Sequence, residues 1–441
     1  MRTECSDQKM LFQAHGSRAV AAEFDGGTIT SDGGALLLRE LELKQGIVSE
    51  FARCFTDQRD PEASEFTVEE LLKQRVFGLA LGYEDLNDHD RLRVDPLLAT
   101  LCGRVDPTGQ DRRCARDKGK ALAGKSTLNR LELHSGDPER DGAYKKIAVN
   151  EKQVEEFFVA HFLGAQREIP WRIYLDLDAT DDRLHGNQEG RHFHGYYGDY
   201  CYLPLYIFCG DFLLCAKLRT ADKEAADGAL GEIQRVVAQI RRRWPQVEVV
   251  IRGDSGFCRD EIMTWCEQQQ DVYYIFGLAQ NARLLREIEK QMEQAQLRYE
   301  ISGQAARVLT EFRYQTQKTW SCERRVIAKA EHLEKGANPR FIVTSLPEFE
   351  VNWKDEVTHL DARSLYEKIY CARGEMENRI KEQQLDLCAD RTSTHWLKAN
   401  QLRLWLASMG YLLLNEVRRI GLAGTKLARA YCGTIRAELF K

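Results

Sequence analysis

The chain has 441 residues, 43% hydrophobic and 30% charged, which is enough for two or three domains with real cores and ordinary for a soluble globular protein. Its net charge of −5 at pH 7 gives no overall attraction to nucleic acid. With nine prolines, no low-complexity run, no internal repeat and no apolar stretch near the ~18 residues of a membrane span, the sequence argues against a disordered, solenoid or membrane-spanning protein.

The opening residues, MRTECSDQKMLFQAHG, lack the apolar core of a secretory signal, so the chain is expected in the cytoplasm. Thirteen cysteines are scattered from Cys5 to Cys432, none in a C-x-x-C pair. That fits free thiols in a reducing compartment better than a zinc ribbon or a disulfide scaffold. Residues 1–165 are expected to be mainly helical. GGALLLRELELKQGIVSEFARCF and TVEELLKQRVFGLALGY carry helical periodicity, the second after the N-cap candidate Thr67. A polar connection, GYEDLNDHDRLRVDP, leads to a basic segment. Between Arg104 and Arg130 there are eight Lys/Arg and three Asp/Glu, a net of +5. From Arg391 to Lys441 the net is +7, which leaves −17 for the remainder. Two basic regions flanking an acidic middle is the pattern of a phosphate-binding surface around a carboxylate-rich, metal-binding centre. Solvated basic faces alone would give the same count. Arg112, Arg113, Lys125 and Arg130 are the candidate phosphate contacts of the first region. Ser126-Thr127 stands at an expected helix start, whose free N–H groups suit the same ligand.

The rhythm changes near Trp171. WRIYLDLDAT alternates apolar and polar and predicts a strand. YCYLPLYIFCGDFLLCAKLRT predicts two strands joined by a tight turn at Gly210-Asp211. An amphipathic helix follows, closed by Pro245. VEVVIRGDSGF predicts a buried strand ending in a Gly-flanked turn, RDEIMTWCEQQQ a helix, DVYYIFGLA a strand and NARLLREIEKQMEQA a helix. The order of three strands and then helix-linked strands predicts an α/β fold, a mixed sheet with flanking helices in the ribonuclease H-like succession. Residues 166–297 would be the first part of this core, 298–346 a β-rich insertion, and 347–441 the second part with further helices.

YCARGEMENRIKEQQ, Tyr370 to Gln384, is expected on the first long helix after the insertion. On a 3.6-residue helix, Tyr370, Arg373, Glu377 and Lys381 fall within an arc of roughly 80°. Helix-face ion pairs worth about 0.3–0.5 kcal/mol each would account for them in isolation. Two other carboxylates change that reading. Asp178 stands at the end of the first core strand and Asp254 at the end of the fourth, and these strands are expected to be adjacent with the late helix over their ends. Such a set can hold Mg²⁺, or Mn²⁺ in its place, for phosphoryl transfer. Asp176 competes with Asp178, because a strand puts both on one face. His185, His192 and His194 cluster in HGNQEGRHFHG, but a zinc site needs three or four converging ligands, and a loop position or packing explains them better. Ser255 in GDSG has no His base at a known spacing.

The ordered set FDGGTITSDGGALLLREL, GYEDLNDHDRLRVDPLL, STLNRLE, LDLDATDDRLHGNQEGRHFHGYY, RGDSGF and YCARGEMENRIKEQQ resembles the DDE transposases with a ribonuclease H-like core. Within them it is most similar to the bacterial insertion-sequence subgroup with a Tyr-x2-Arg-x3-Glu motif, of the insertion-sequence-1380 type. The resemblance spans most of the chain. It implies catalytic, metal-holding carboxylates at Asp178, Asp254 and Glu377, and DNA contacts from Tyr370, Arg373 and Lys381. The broader motif carries a Lys where Gln384 stands, and Lys381 lies only four positions beyond Glu377. The resemblance also implies a β insertion before the Glu helix, and there Trp320 is the candidate on which a flipped base would stack, with core packing as the competing reading. The implied function is cut-and-paste transposition. The enzyme would bind the terminal inverted repeats and target DNA as a dimer or larger assembly, with residues 1–165 recognising DNA ends. A catalytically silent DNA-binding derivative and a metal nuclease without strand transfer are the alternatives.

Overall fold

The chain before Trp171 folds mainly as helices, as its periodicity predicts. Helix α1 (Val68–Ala80) starts at Thr67 with a reciprocal cap: Thr67 Oγ1 accepts from the Glu70 N–H (3.1 Å) and Glu70 Oε2 from the Thr67 N–H (2.8 Å). α2 (Lys125–Glu132) and α3 (Glu151–Ala165) follow. These positions come from a computed structural model that describes residues 10–15, 18–22, 30–134, 138–142, 145–351 and 357–441. Residues 1–9 of the stretch read for a secretory signal, and residues 24–29 of FDGGTITSDGG, lie outside the described residues.

Strands β1 (Arg172–Ala179), β2 (Leu205–Cys209) and β3 (Phe212–Lys217) form a meander. The β2–β3 turn falls at Gly210-Asp211, where Gly210 has φ 57°. The chain then alternates α4 (Ala229–Arg243), β4 (Glu248–Gly253), α5 (Asp260–Gln268), β5 (Val272–Leu278) and α6 (Glu289–Ser302). β4 pairs in parallel with both β1 and β5. β6 (Ala306–Tyr314), β7 (Arg324–Leu333) and β8 (Arg340–Thr344) belong to the expected insertion. They pair antiparallel onto β5, so the insertion extends the main sheet, in the order β3-β2-β1-β4-β5-β8-β7-β6. The short strand Gly336–Ala337 completes a nine-stranded sheet at β7. Residues 298–302, expected to open the insertion, are the last turn of α6, which ends at Gly303 with φ 65°.

A helical run covers one face of the sheet and changes pitch along its length. It is wide over Ser364–Tyr370, tight over Cys371–Arg373, α-helical in α7 (Gly374–Lys381) and wide again over Glu382–Asp386. The long helix α8 (Leu397–Glu416) follows.

Period-two alternation divides the sheet's side chains between two layers. Ile173, Leu175 and Leu177 of β1, Val249 and Ile251 of β4, and Tyr274 and Phe276 of β5 pack on one face with α3 and α4. Val250 and Ile275 point to the opposite face, beneath Leu365, Tyr366 and Ile369 of the helical run. Tyr206 and Phe208 of β2 share that side with α8 and the N-terminal helices, whose core runs from Ala35 to Phe440. Buried Glu132 pairs with Arg75 and, at 2.9 Å, with Arg403, joining α1, α2 and α8. No helix of the described residues is long and apolar enough to cross a membrane. The twelve described cysteines are all free.

Candidate active site

The parallel register of β1 and β4 sets Arg252 opposite Asp176. Two residues further on, the chain reaches Asp178 on one strand and Asp254 beyond the end of the other, so both carboxylates leave the same end of the sheet. The helical run crosses that end. Asp178, Asp254, Arg373, Glu377, Lys381 and Gln384 line one cleft of about 660 Å³.

Asp176 and Asp178 share a face but not an environment. Asp176 is buried and holds Arg252 through two bonds, Nε to Oδ1 at 2.5 Å and Nη2 to Oδ2 at 2.7 Å. Arg252 also donates to the Ile369 carbonyl (2.7 Å) and lies over the Tyr174 ring. The pair therefore ties β1 and β4 to the helical run. Asp178 opens into the cleft and, among the described residues, accepts the Ala179 N–H alone (3.1 Å). Burial pushes its carboxyl up to about 7; Arg373 opposes the rise, and the charges of Asp254 and Glu377 add to it.

Asp254 is fixed by its own turn. Its Oδ1 accepts the Gly256 N–H (2.8 Å) and caps the tight turn Ser255–Phe257. Gly277 of β5 is the close approach that lets the helical run settle here. A Cβ on it would lie 2.7 Å from the Tyr370 hydroxyl and 2.9 Å from the Ser255 nitrogen. Tyr370 consequently lines a neighbouring recess of about 260 Å³ that shares Asp254 with the cleft. Tyr370 nonetheless stays beside Arg373, and both feel the charge of Asp254.

Glu377 is 47% exposed and accepts from Arg373 Nη2 at 3.1 Å. Burial works against the charge on Arg373, yet Asp178, Tyr370, Glu377 and Asp254 hold its guanidinium above the ordinary arginine value. Its buried Nη1 has no hydrogen-bond partner and remains a donor. Gln384 donates to the Asp181 carbonyl (3.2 Å) and to Asp182 Oδ1 (3.0 Å), joining the helical run to the loop after Asp178.

Among the described residues no three His, Cys, Asp or Glu side chains converge tightly enough to hold a metal ion. The cleft nonetheless fits a hard divalent cation by the chemistry of its donors. Asp178, Asp254 and Glu377 face one space, the last two raise the proton affinity of the first, and Glu377 is bonded to Arg373. His185, His192 and His194 form no such group.

The remaining candidates divide between fold and surface. Arg112, expected as a phosphate contact, is buried, and its guanidinium binds Glu65 (2.7 Å) and the Lys120 carbonyl (2.6 Å). Trp320 is 7% exposed and packs edge-on against Tyr314, away from the cleft, as the core reading expects. Arg113 and Lys125 are exposed, Arg113 bonded to the Glu62 carbonyl and Lys125 to Asn87 (3.0 Å). Arg130 lines a separate recess with Arg59 and Lys146, two cations that the sequence reading passed over because they lie far apart in the chain. It also passed over Tyr196 and Tyr197, which line the carboxylate cleft from a loop between β1 and β2. Four aromatic residues in FHGYYGDY were the available signal.

The family model described as "Transposase DDE domain group 1" matches residues 12–441. The chain belongs to this DDE transposase family. Among solved structures, a cryo-EM structure of the piggyBac transposase synaptic complex with hairpin DNA is similar at 11% identity and a TM-score of 0.44, covering 92% of this chain and 79% of that one. No curated protein matches.

Proposed function

We propose that this DDE transposase binds the terminal inverted repeats of its own element and cuts and joins DNA there, as a homodimer or larger assembly in the bacterial cytoplasm. The observation that carries the reading is the meeting of Asp178, Asp254 and Glu377, from three separated elements, in one cleft with Arg373 and Lys381. The sheet order β3-β2-β1-β4-β5, with acids at the ends of β1 and β4 and a helix over them, supports a ribonuclease H-like core, and we carry the insertion-sequence-1380 type over from the sequence resemblance alone. We assign residues 1–165 to end recognition, 166–297 and 347–441 to the core, and 298–346 to the insertion.

Asp178, Asp254 and Glu377 would hold Mg²⁺, for which Mn²⁺ would substitute. Divalent cations bound by such carboxylates activate the attacking oxygen and neutralise the leaving one in phosphoryl transfer. Arg373 offers its unpartnered Nη1 to a phosphate oxygen, and Lys381 adds a second positive charge along the cleft. Tyr370 bounds the strand on the far side of Asp254. Arg373 Nη2 meanwhile holds Glu377 at 3.1 Å, a bond Glu377 would give up to join the other two acids.

Excision from a reporter carrying the DNA that flanks the gene tests the proposal. Asp178→Asn, Asp254→Asn and Glu377→Gln should each lower excision by roughly a thousandfold, equivalent to several kcal/mol of transition-state stabilisation, with cooperative unfolding and DNA binding retained. Excision that survives in all three variants would remove the site assignment. Wild-type protein that binds the ends without cutting them would favour a silent DNA-binding derivative, a reading the unconverged carboxylates also allow.

A further inference from the structure

The loop between β1 and β2 is a small three-stranded sheet of Asp182–Arg183, His192–His194 and Asp199–Tyr202. Its outer hairpin carries an unusual set of rings. Tyr196 is 87% exposed, Phe193 58% and Tyr200 42%. Tyr196 and Tyr197 meet edge to face at 5.0 Å, and Phe193 and Tyr200 at 5.7 Å. The hairpin is anchored to the site, since the Tyr197 hydroxyl donates to the carbonyl of Ala179, the residue after Asp178 (3.3 Å). Both tyrosines and His194 line the carboxylate cleft. Large rings presented to water beside a reactive centre are costly unless a flat apolar partner covers them.

Two arginines of the small sheet lie against its own groups. Arg191 stacks on Tyr200 and donates to the Gly186 carbonyl (2.7 Å), and Arg183 lies near Asp181 and Asp199 at 3.6 and 3.9 Å. What the hairpin presents most openly is its rings, which suit the face of another planar ring. We propose that the hairpin around Tyr196 is a stacking surface for an unpaired nucleobase of the DNA beside the cut. The inference rests on the reading of the cleft as a DNA-cutting site and narrows its substrate to an end that is locally unpaired.

The test compares forked and fully paired duplexes of the element's terminal sequence, with 2-aminopurine in the fork, bound to wild type and to Tyr196→Ala. Base stacking of this kind should make Tyr196→Ala bind the fork about five- to a hundredfold more weakly, with affinity for the paired duplex unchanged and the fluorescence quenching seen with wild type lost. The salt slope of binding should stay the same, because no phosphate contact is removed. Tyr196→Phe and Tyr196→Trp should restore both affinity and quenching. Equal losses on fork and duplex, a smaller salt slope, or no quenching by wild type would overturn the proposal. These readouts need no cleavage, so they stand or fall apart from the excision test. Asp254→Asn should keep the fork preference while losing excision.

Discussion

The basic segment and the carboxylate cleft both stand out as charge imbalances in the sequence, and the fold treats them in opposite ways. Between Arg104 and Arg130 much of the surplus is spent internally. Arg112 is buried against Glu65, and Arg104 pairs with Glu70 at 3.0 Å. In the cleft, Asp178, Asp254 and Glu377 share one space with Arg373, Lys381 and Arg259, the last paired with Glu224 at 2.7 Å, and burial leaves Asp178 poised to hold a proton. A charge count adds up side chains, whereas function depends on those left uncompensated. Here the acids are left and part of the cations are not.

That contrast can be broken most sharply at Arg112. Removing a cation from a largely buried pair should cost about 3 kcal/mol of stability. Arg112→Ala should thus unfold at clearly lower denaturant while the folded fraction keeps its salt slope for DNA. A normal unfolding midpoint with a reduced salt slope would put Arg112 on the binding surface instead.

A smaller effect separates the acids. The folded-state pKa of Asp178, about 7, lies above its ordinary value of 3.8. The folded chain therefore holds the proton more tightly, and stability without divalent cations should fall as pH rises from 3.8 to about 7 and level off above. Asp178→Asn should abolish this slope and melt higher than wild type above pH 7. Added Mg²⁺ should raise the melting temperature of wild type more at alkaline than at acid pH, since it competes with that proton. Thermal melts across pH, with and without Mg²⁺, check both.

The smallest effects belong to the exposed cations. Lys125→Ala and Arg130→Ala should each weaken binding about equally on all sequences and lower the salt slope by about 1, with stability unchanged. A titration over salt concentration distinguishes them from Arg112.

The alternation in WRIYLDLDAT and the continuous run in VEVVIRGDSGF were enough to place Asp178 and Asp254 at strand ends, because strand period and burial are local properties. The choice between Asp176 and Asp178 was not legible. It depends on Arg252, a neighbour only once β1 and β4 pair. The close approach of Tyr370 to Gly277 was not legible either, because it joins a strand to a helical run far along the chain. The insertion was visible as β-rich, yet its pairing onto β5 is non-local and left no mark in the sequence.

The insertion enlarging the sheet also sets an order of events during synthesis. Asp178 and Asp254 come together as soon as β1 and β4 pair, but Glu377 emerges only after the chain has left β5 and added three further strands to it. Long-range pairing of this kind is slow, and domains settle from the N-terminus as they leave the ribosome. A nascent chain therefore carries an incomplete acid set for most of its time in translation, and the third carboxylate arrives late, with the docking of the helical run over the sheet.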